Sequence, residues 1–396
     1  MLARRSLLLG AGGAVAAAGL CTVPAHASAR TSALPVAGRG LRLPAPTGPG
    51  TVVTRAFPLV DRARTDPFAP LPRPRELMVQ LWFATDRDDS ELGTESERGG
   101  GGHGGLSAYI PPATAAVLEG EWGVAAGSLA RIRTGVPAVR RGGRRPTLIL
   151  LSHGRGAARS LTTSLAVELA SHGHLVAAVD HTYDAAAVHF PDGRLIRGNL
   201  PSAPADWDAQ DRLETGVRAA DLRFVADRLI ADRLAPPRVG LLGHSMGGPA
   251  AAEAMRQDRR FVAGLDLDGG LFGTTVADTG LDRPFLLLTS SPDHESWARW
   301  RAAQHGWGRH LHLAGGGHLS ATDLPSYAEA IGLRQVWPDT LWREFMGTIE
   351  PDRATEVVRA YTVAFFGRFL AHRPAPLLRG PAARFPEVEF RWSRGR

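Results

Sequence analysis

The sequence predicts an α/β fold, a mostly parallel central sheet flanked by helices. Three observations predict it. Continuous apolar runs at 147–151, 175–179, 239–242 and 285–288 are long enough for strands buried on both faces. Helix-patterned stretches separate these runs, as parallel strands require. The pentapeptide Gly243-His244-Ser245-Met246-Gly247 sits between an apolar run and the helix-like Pro249-Ala250-Ala251-Ala252-Glu253-Ala254-Met255. Strand, glycine-flanked serine and helix in that order make a sharp turn that exposes the serine hydroxyl.

Along the chain, Arg4-Arg5, an apolar run over 7–20 and Ala25-His26-Ala27 read as an export signal over 1–27, of twin-arginine type. That run is too short to span a bilayer. Residues 28–50, rich in Ala, Pro, Gly and Thr, read as a flexible segment. A catalytic domain is expected over 51–372. It opens with an early strand over 76–83, followed by a polar, glycine-rich insertion around 99–106 and a helix within 113–130. The regular part begins with the strand at 147–151, a helix over 161–170 closed by Gly173, and the strand at 175–179. Val217, Ala220, Leu222, Phe224, Val225 and Leu229 mark a long amphipathic helix. Strands at 261–265, 285–288 and 310–313 follow. Trp337, Leu341, Trp342, Phe345 and Met346 form an apolar stretch (337–346), read as packing, with a lipid-facing surface as the other reading. Trp297 and Trp300 are read as packing too. Val358, Tyr361, Phe365 and Phe369 mark a last helix, and 373–396 is left as a C-terminal tail.

Composition narrows the functional classes. The chain has 396 residues and a formal net charge of +7, with 46 basic residues, all Arg, against 39 acidic ones. That modest excess, spread along the chain, argues against a dedicated nucleic-acid binder. Cys21 is the one cysteine and lies in the export signal. Disulfides, thiolate metal sites and a cysteine nucleophile are therefore not expected in a processed chain.

The chemistry concentrates at Ser245. A serine hydroxyl needs a base, and the base needs a partner that fixes its tautomer. His318 follows a strand and the turn Ala314-Gly315-Gly316-Gly317, a fitting place for the base. Asp268 and Asp293 each end a strand between Ser245 and His318, and the residues alone leave both open as the acid. Asp266 shares a strand face with Asp268 and reads as a polar neighbour. The oxyanion formed on attack needs backbone donors. Met246, after the nucleophile, offers one N–H, and Arg155 in Ser152-His153-Gly154-Arg155-Gly156 offers the second.

The runs Leu151-Ser152-His153-Gly154-Arg155-Gly156-Ala157, Gly243-His244-Ser245-Met246-Gly247-Gly248, Leu265-Asp266-Leu267-Asp268-Gly269 and Gly315-Gly316-Gly317-His318 together resemble the plasma-type platelet-activating-factor acetylhydrolase family and its bacterial relatives. The similarity covers roughly 70–370. It implies an α/β-hydrolase fold with Ser245 in the nucleophile elbow, and Asp268 rather than Asp293 as the acid. It also implies hydrolysis of short or oxidised acyl esters with no metal or cofactor. Arg155 stands where the family has Leu, which bears on acyl or headgroup preference rather than on the backbone donor. An exported serine esterase acting on small esters or phospholipid sn-2 acyl groups, with transient membrane-surface contact, is the leading expectation. A cutinase-like polyester hydrolase, an exported acyltransferase and an inert binding module are the competing ones.

Overall fold

A computed structural model describes residues 41–85, 106–137 and 147–395. The segment read as an export signal, with Cys21, and the glycine-rich stretch 99–105 lie outside the described residues.

Nine strands form one sheet. They are β1 (Thr51–Thr65), β2 (Pro74–Thr85), β5 (Leu148–Ser152), β6 (Leu175–His181), β9 (Val239–His244), β10 (Phe261–Leu267), β11 (Phe285–Thr289), β12 (Gly308–Leu313) and β13 (Val388–Arg394). Two small hairpins stand apart, β3 (Leu106–Ala108) with β4 (Arg133–Pro137) and β7 (Ala187–His189) with β8 (Leu195–Arg197). The sheet order is β1-β2-β6-β5-β9-β10-β11-β12-β13. The six central strands from β6 to β12 run parallel, whereas β1, β2 and β13 are joined antiparallel. This is the α/β-hydrolase architecture. The central strands are apolar on both faces because helices cover both. One face carries α3 (Trp207–Ala231), α4 (Gly247–Gln257) and α5 (Glu295–Ala303). The other carries α2 (Thr163–Ser171) and α7 (Pro351–Phe369). Asp206 caps α3 by accepting from the Ala209 N–H at 3.0 Å, and Pro351 opens α7 where a missing N–H costs nothing. A third cluster packs α1 (Pro112–Trp122) and α6 (Asp339–Met346) over the carboxyl ends of the strands.

The structure changes three expectations. Residues 373–396 are not a tail, because β13 pairs with β12 from Gly308↔Arg394 to Leu313↔Val388. The described part of the 28–50 segment is held rather than flexible: Leu43 N–H donates to Arg133 O at 3.1 Å, and Gly50 N–H to Ser171 O at 3.0 Å. The early strand is longer than 76–83 and is flanked by β1, which sequence reading missed. Half of β1 is exposed at the sheet edge, so its alternation is diluted by Arg, Asp and Pro. The helix within 113–130 ends at Gly123, which takes the left-handed C-cap conformation with φ 71°.

Among the described residues no helix is long and apolar enough to cross a membrane. Trp297, Trp300 and Trp337 are buried and Trp342 is partly so, which matches the packing reading.

Candidate active site

β9 ends at His244 and α4 begins at Gly247, so Ser245 occupies the turn between them, with φ 53°. A left-handed conformation is strained for serine and is held here by its neighbours. Ser245 N–H donates to Leu267 O at 2.9 Å, and Ser245 O accepts from Gly248 N–H at 2.8 Å. The turn is closed so tightly that a methyl group at Gly243 would lie 1.9 Å from Gly247 O, and one at Gly247 would lie 2.1 Å from Ser152 O. Only glycine fits either position.

Asp268 follows β10 in a second left-handed turn, φ 58°, with its N–H on Leu288 O. Its carboxylate is buried yet well supplied. Oδ1 accepts from the N–H groups of Ser290 and Ser291 at 2.7 and 2.8 Å, and Oδ2 from Ser291 Oγ at 2.6 Å. His318 Nδ1 donates to Oδ2 at 2.7 Å. Burial pushes the Asp268 pKa up, but His318 and Ser291 outweigh burial and hold it below the usual carboxylate range. The acid is therefore ionised, and His318 carries its proton on Nδ1. Asp293 is elsewhere: both its oxygens pair with Arg301 at 2.8 Å, and its side chain is half exposed. It lies beyond the end of β11 (Thr289) and just before α5, so of the two candidate acids only Asp268 meets His318.

The loop bearing His318 is stitched to α6. His318 N–H donates to Glu344 O at 3.0 Å and Leu319 N–H to Phe345 O at 2.7 Å. The Phe345 ring meets the imidazole edge-on at 6.0 Å between centroids. The Trp-bearing stretch thus positions the histidine, a role that sequence reading did not give it. His244 donates from Nε2 to His318 O at 2.9 Å, and burial, then His318, push its pKa down to about 4.

The second wall is the β5 turn. His153 accepts at Nε2 from His181 N–H at 3.3 Å, so its proton sits on Nδ1, which donates to Gly154 O at 2.6 Å. The peptide is trans, so anchoring Gly154 C=O turns the Arg155 N–H the opposite way. Among the described residues neither the Arg155 nor the Met246 N–H donates to a backbone carbonyl. The Arg155 side chain is drawn off to α3: Nη2 donates to Glu214 Oε1 at 2.8 Å and Pro201 O at 2.9 Å, and the guanidinium lies over Trp207.

Beneath this turn lies a buried ionic network invisible to pattern reading. Arg218 donates to His153 O and pairs with Asp184 at 2.5 Å. His181 links Ser152 Oγ to Asp221 at 2.9 Å each, and Arg75 joins Asp221 to Asp66. Apart from Arg75 and Asp66, nine residues apart, these partners are 29 or more residues apart, and the one available signal was an Arg inside the early strand.

Ser245, His318, Arg155, Trp122, Leu161 and Leu319 are among the residues lining one cavity of about 20 Å³. Among the described residues no group of three or more His, Cys, Asp or Glu converges to hold a metal ion.

The fold and this site define an α/β-hydrolase that cleaves carboxylic esters. The chain belongs to the platelet-activating factor acetylhydrolase family. The family described as platelet-activating factor acetylhydrolase, isoform II, matches residues 123–192. A probable 1-alkyl-2-acetylglycerophosphocholine esterase of Arthroderma benhamiae is 30% identical over 94% of this chain and 98% of its own length. The platelet-activating factor acetylhydrolase of Cavia porcellus is 31% identical over 33% of this chain and 36% of its own. A solved ferulic acid esterase from Streptomyces cinnamoneus is 36% identical, with a TM-score of 0.77 over 89% of this chain and all of that one.

Proposed function

We propose that the chain is an exported serine esterase for short acyl esters, using Ser245, His318 and Asp268. His318 Nδ1 is tied to the ionised Asp268, which leaves Nε2 to take the Ser245 proton as Oγ attacks the ester carbonyl. The N–H groups of Met246 and Arg155 hold the resulting oxyanion. The imidazolium then protonates the departing alcohol, leaving Ser245 acylated. Water, deprotonated by the same nitrogen, releases the acid and restores the serine.

The observation that carries this reading is one cavity lined by both Ser245 and a histidine bonded to a buried carboxylate. Its narrowness supports the acyl class: the cavity beside Ser245 is slim and lined by Trp122, Leu161 and Leu319, which favours a short acyl chain. Small soluble esters and phospholipids with short sn-2 chains meet that limit. A second reading, a hydroxycinnamoyl ester, is favoured by the 36% identical ferulic acid esterase, but its ring needs the cavity wall to move. Export is supported by Arg4-Arg5 and the apolar run before Ala27.

The test is turnover of p-nitrophenyl acetate and methyl ferulate, with labelling by a fluorophosphonate. Wild type is expected to turn over the acetate, and Ser245→Ala to lose both turnover and label. Retained turnover in Ser245→Ala refutes the assignment, and preference for the ferulate refutes the acyl class. Transfer to added alcohols in place of water identifies an acyltransferase. Secretion that persists with Arg4 and Arg5 both changed to Lys refutes the twin-arginine route.

A further inference from the structure

We propose that Asp266 is a positioning residue for this site, a wedge that sets the nucleophile turn against the turn carrying the acid. The inference rests on the serine-esterase reading above.

Asp266 lies on β10 between Gly243 of β9 and Leu287 of β11, and it is fully buried. Its Oδ1 accepts from Gly269 N–H at 2.8 Å, which fixes the residue immediately after Asp268. The carboxyl also rests on the first turn of α4, where a methyl at Gly248 would lie 2.0 Å from Oδ1 and 2.5 Å from Oδ2. A methyl at Gly269 would lie 2.3 Å from Ser245 O and 2.5 Å from Asp266 Oδ1. One carboxyl group thus touches the chain just after the nucleophile and just after the acid. Both turns are left-handed and strained, so each needs such a neighbour.

The choice of a carboxyl has a chemical reason. β9 and β11 present Gly243 and Leu287 beside it and α4 presents Gly248, so among the described residues Asp268 is the charged group that faces it. Burial pushes the Asp266 pKa well up, against the opposing pull of the Gly269 N–H, and the Asp268 charge adds to the rise. Oδ2 has no partner among the described residues, as fits a group kept neutral. A neutral acid retains an acceptor for Gly269 without setting a second negative charge beside Asp268, whose ionised form His318 requires. Two carboxyls in one site are commonly divided in this way.

The test compares Asp266→Asn and Asp266→Ala on p-nitrophenyl acetate, with sites counted by fluorophosphonate labelling and folding checked by circular dichroism. Asp266→Asn keeps the acceptor and is expected to hold kcat within about threefold at pH 7. Asp266→Ala is expected to lower kcat per labelled site by about 10- to 100-fold with KM little changed, the scale of a small misplacement of reacting groups. Wild-type kcat in Asp266→Ala overturns the proposal. So does a loss in Asp266→Asn equal to that in Asp266→Ala. If Asp266→Ala does not fold, a kcat loss beyond about tenfold in folded Asp266→Asn overturns it. Failure of wild type to label at Ser245 sinks the serine-esterase reading instead, so the two failures are separable.

Discussion

Trp122, the last residue of α1, is 2% exposed and forms one wall of the cavity beside Ser245. The cavity is narrow, so a lengthening acyl chain is expected to meet this wall. Trp122→Ala removes the indole and opens space for further methylenes. Each methylene that leaves water gains about 0.8 kcal/mol, or roughly fourfold in kcat/KM. Two methylenes, the step from acetate to butyrate, gain about 1.6 kcal/mol, so the butyrate-to-acetate ratio should rise about 15-fold. The same change costs stability, about 3–5 kcal/mol for a buried Trp→Ala, because Trp122 also packs in the third core cluster. A milder Trp122→Leu variant should therefore be measured beside it, with a smaller shift in the same direction. The assay is kcat/KM on p-nitrophenyl acetate, butyrate and hexanoate at a temperature where melting curves show each variant folded. An unchanged chain-length profile in folded Trp122→Ala refutes the reasoning, and places the acyl group on another wall.

Asp268→Asn should lower kcat by about 10⁴-fold with little change in melting temperature, since the amide cannot hold His318 in the Nδ1–H tautomer; near-wild-type turnover would return Asp268 to a packing role. His153→Phe fills the same space but removes one of the two hydrogen bonds on Gly154 O, the other coming from Ala157 N–H at 3.2 Å, so the Arg155 N–H is aimed less firmly. A kcat loss of about 10²-fold at constant KM is expected, and a loss confined to KM contradicts it. Asp323 has its pKa pushed up to about 7 by burial, against the pull of Ser164. The folded state therefore holds that proton where the unfolded chain has lost it. The associated stability is fully present below about pH 3.9 and disappears as pH rises to about 7, up to about 4 kcal/mol. Asp323→Asn should flatten this fall in melting temperature between pH 4 and 7, and an unchanged slope excludes the residue as its source.

The sheet was legible where strands are buried on both faces. Leu148, Leu175, Val239, Phe261 and Phe285 each open or extend an apolar run that needs no context. Ser245 was legible because its turn demands glycines at fixed offsets, and His318 because three glycines precede it. The edges were not. β1 and β13 are half exposed, so their patterns carry as much charge as a loop. Long-range partnership was equally hidden. Nothing near Arg218 in sequence indicates His153, and nothing near Asp266 indicates that Gly248 and Gly269 meet on it. Asp268 and Asp293 illustrate the limit: both end strands of the same kind, and family resemblance, then geometry, separates them.

Because β13 covers the outer side of β12, the end of the chain shields a hydrogen-bonding edge that leads directly into the His318 loop. Trimming the polypeptide back beyond Phe385 would bare that edge to other molecules, with self-association as the consequence. A purification handle fused at this end hangs from the same seam, one strand away from the loop that carries His318.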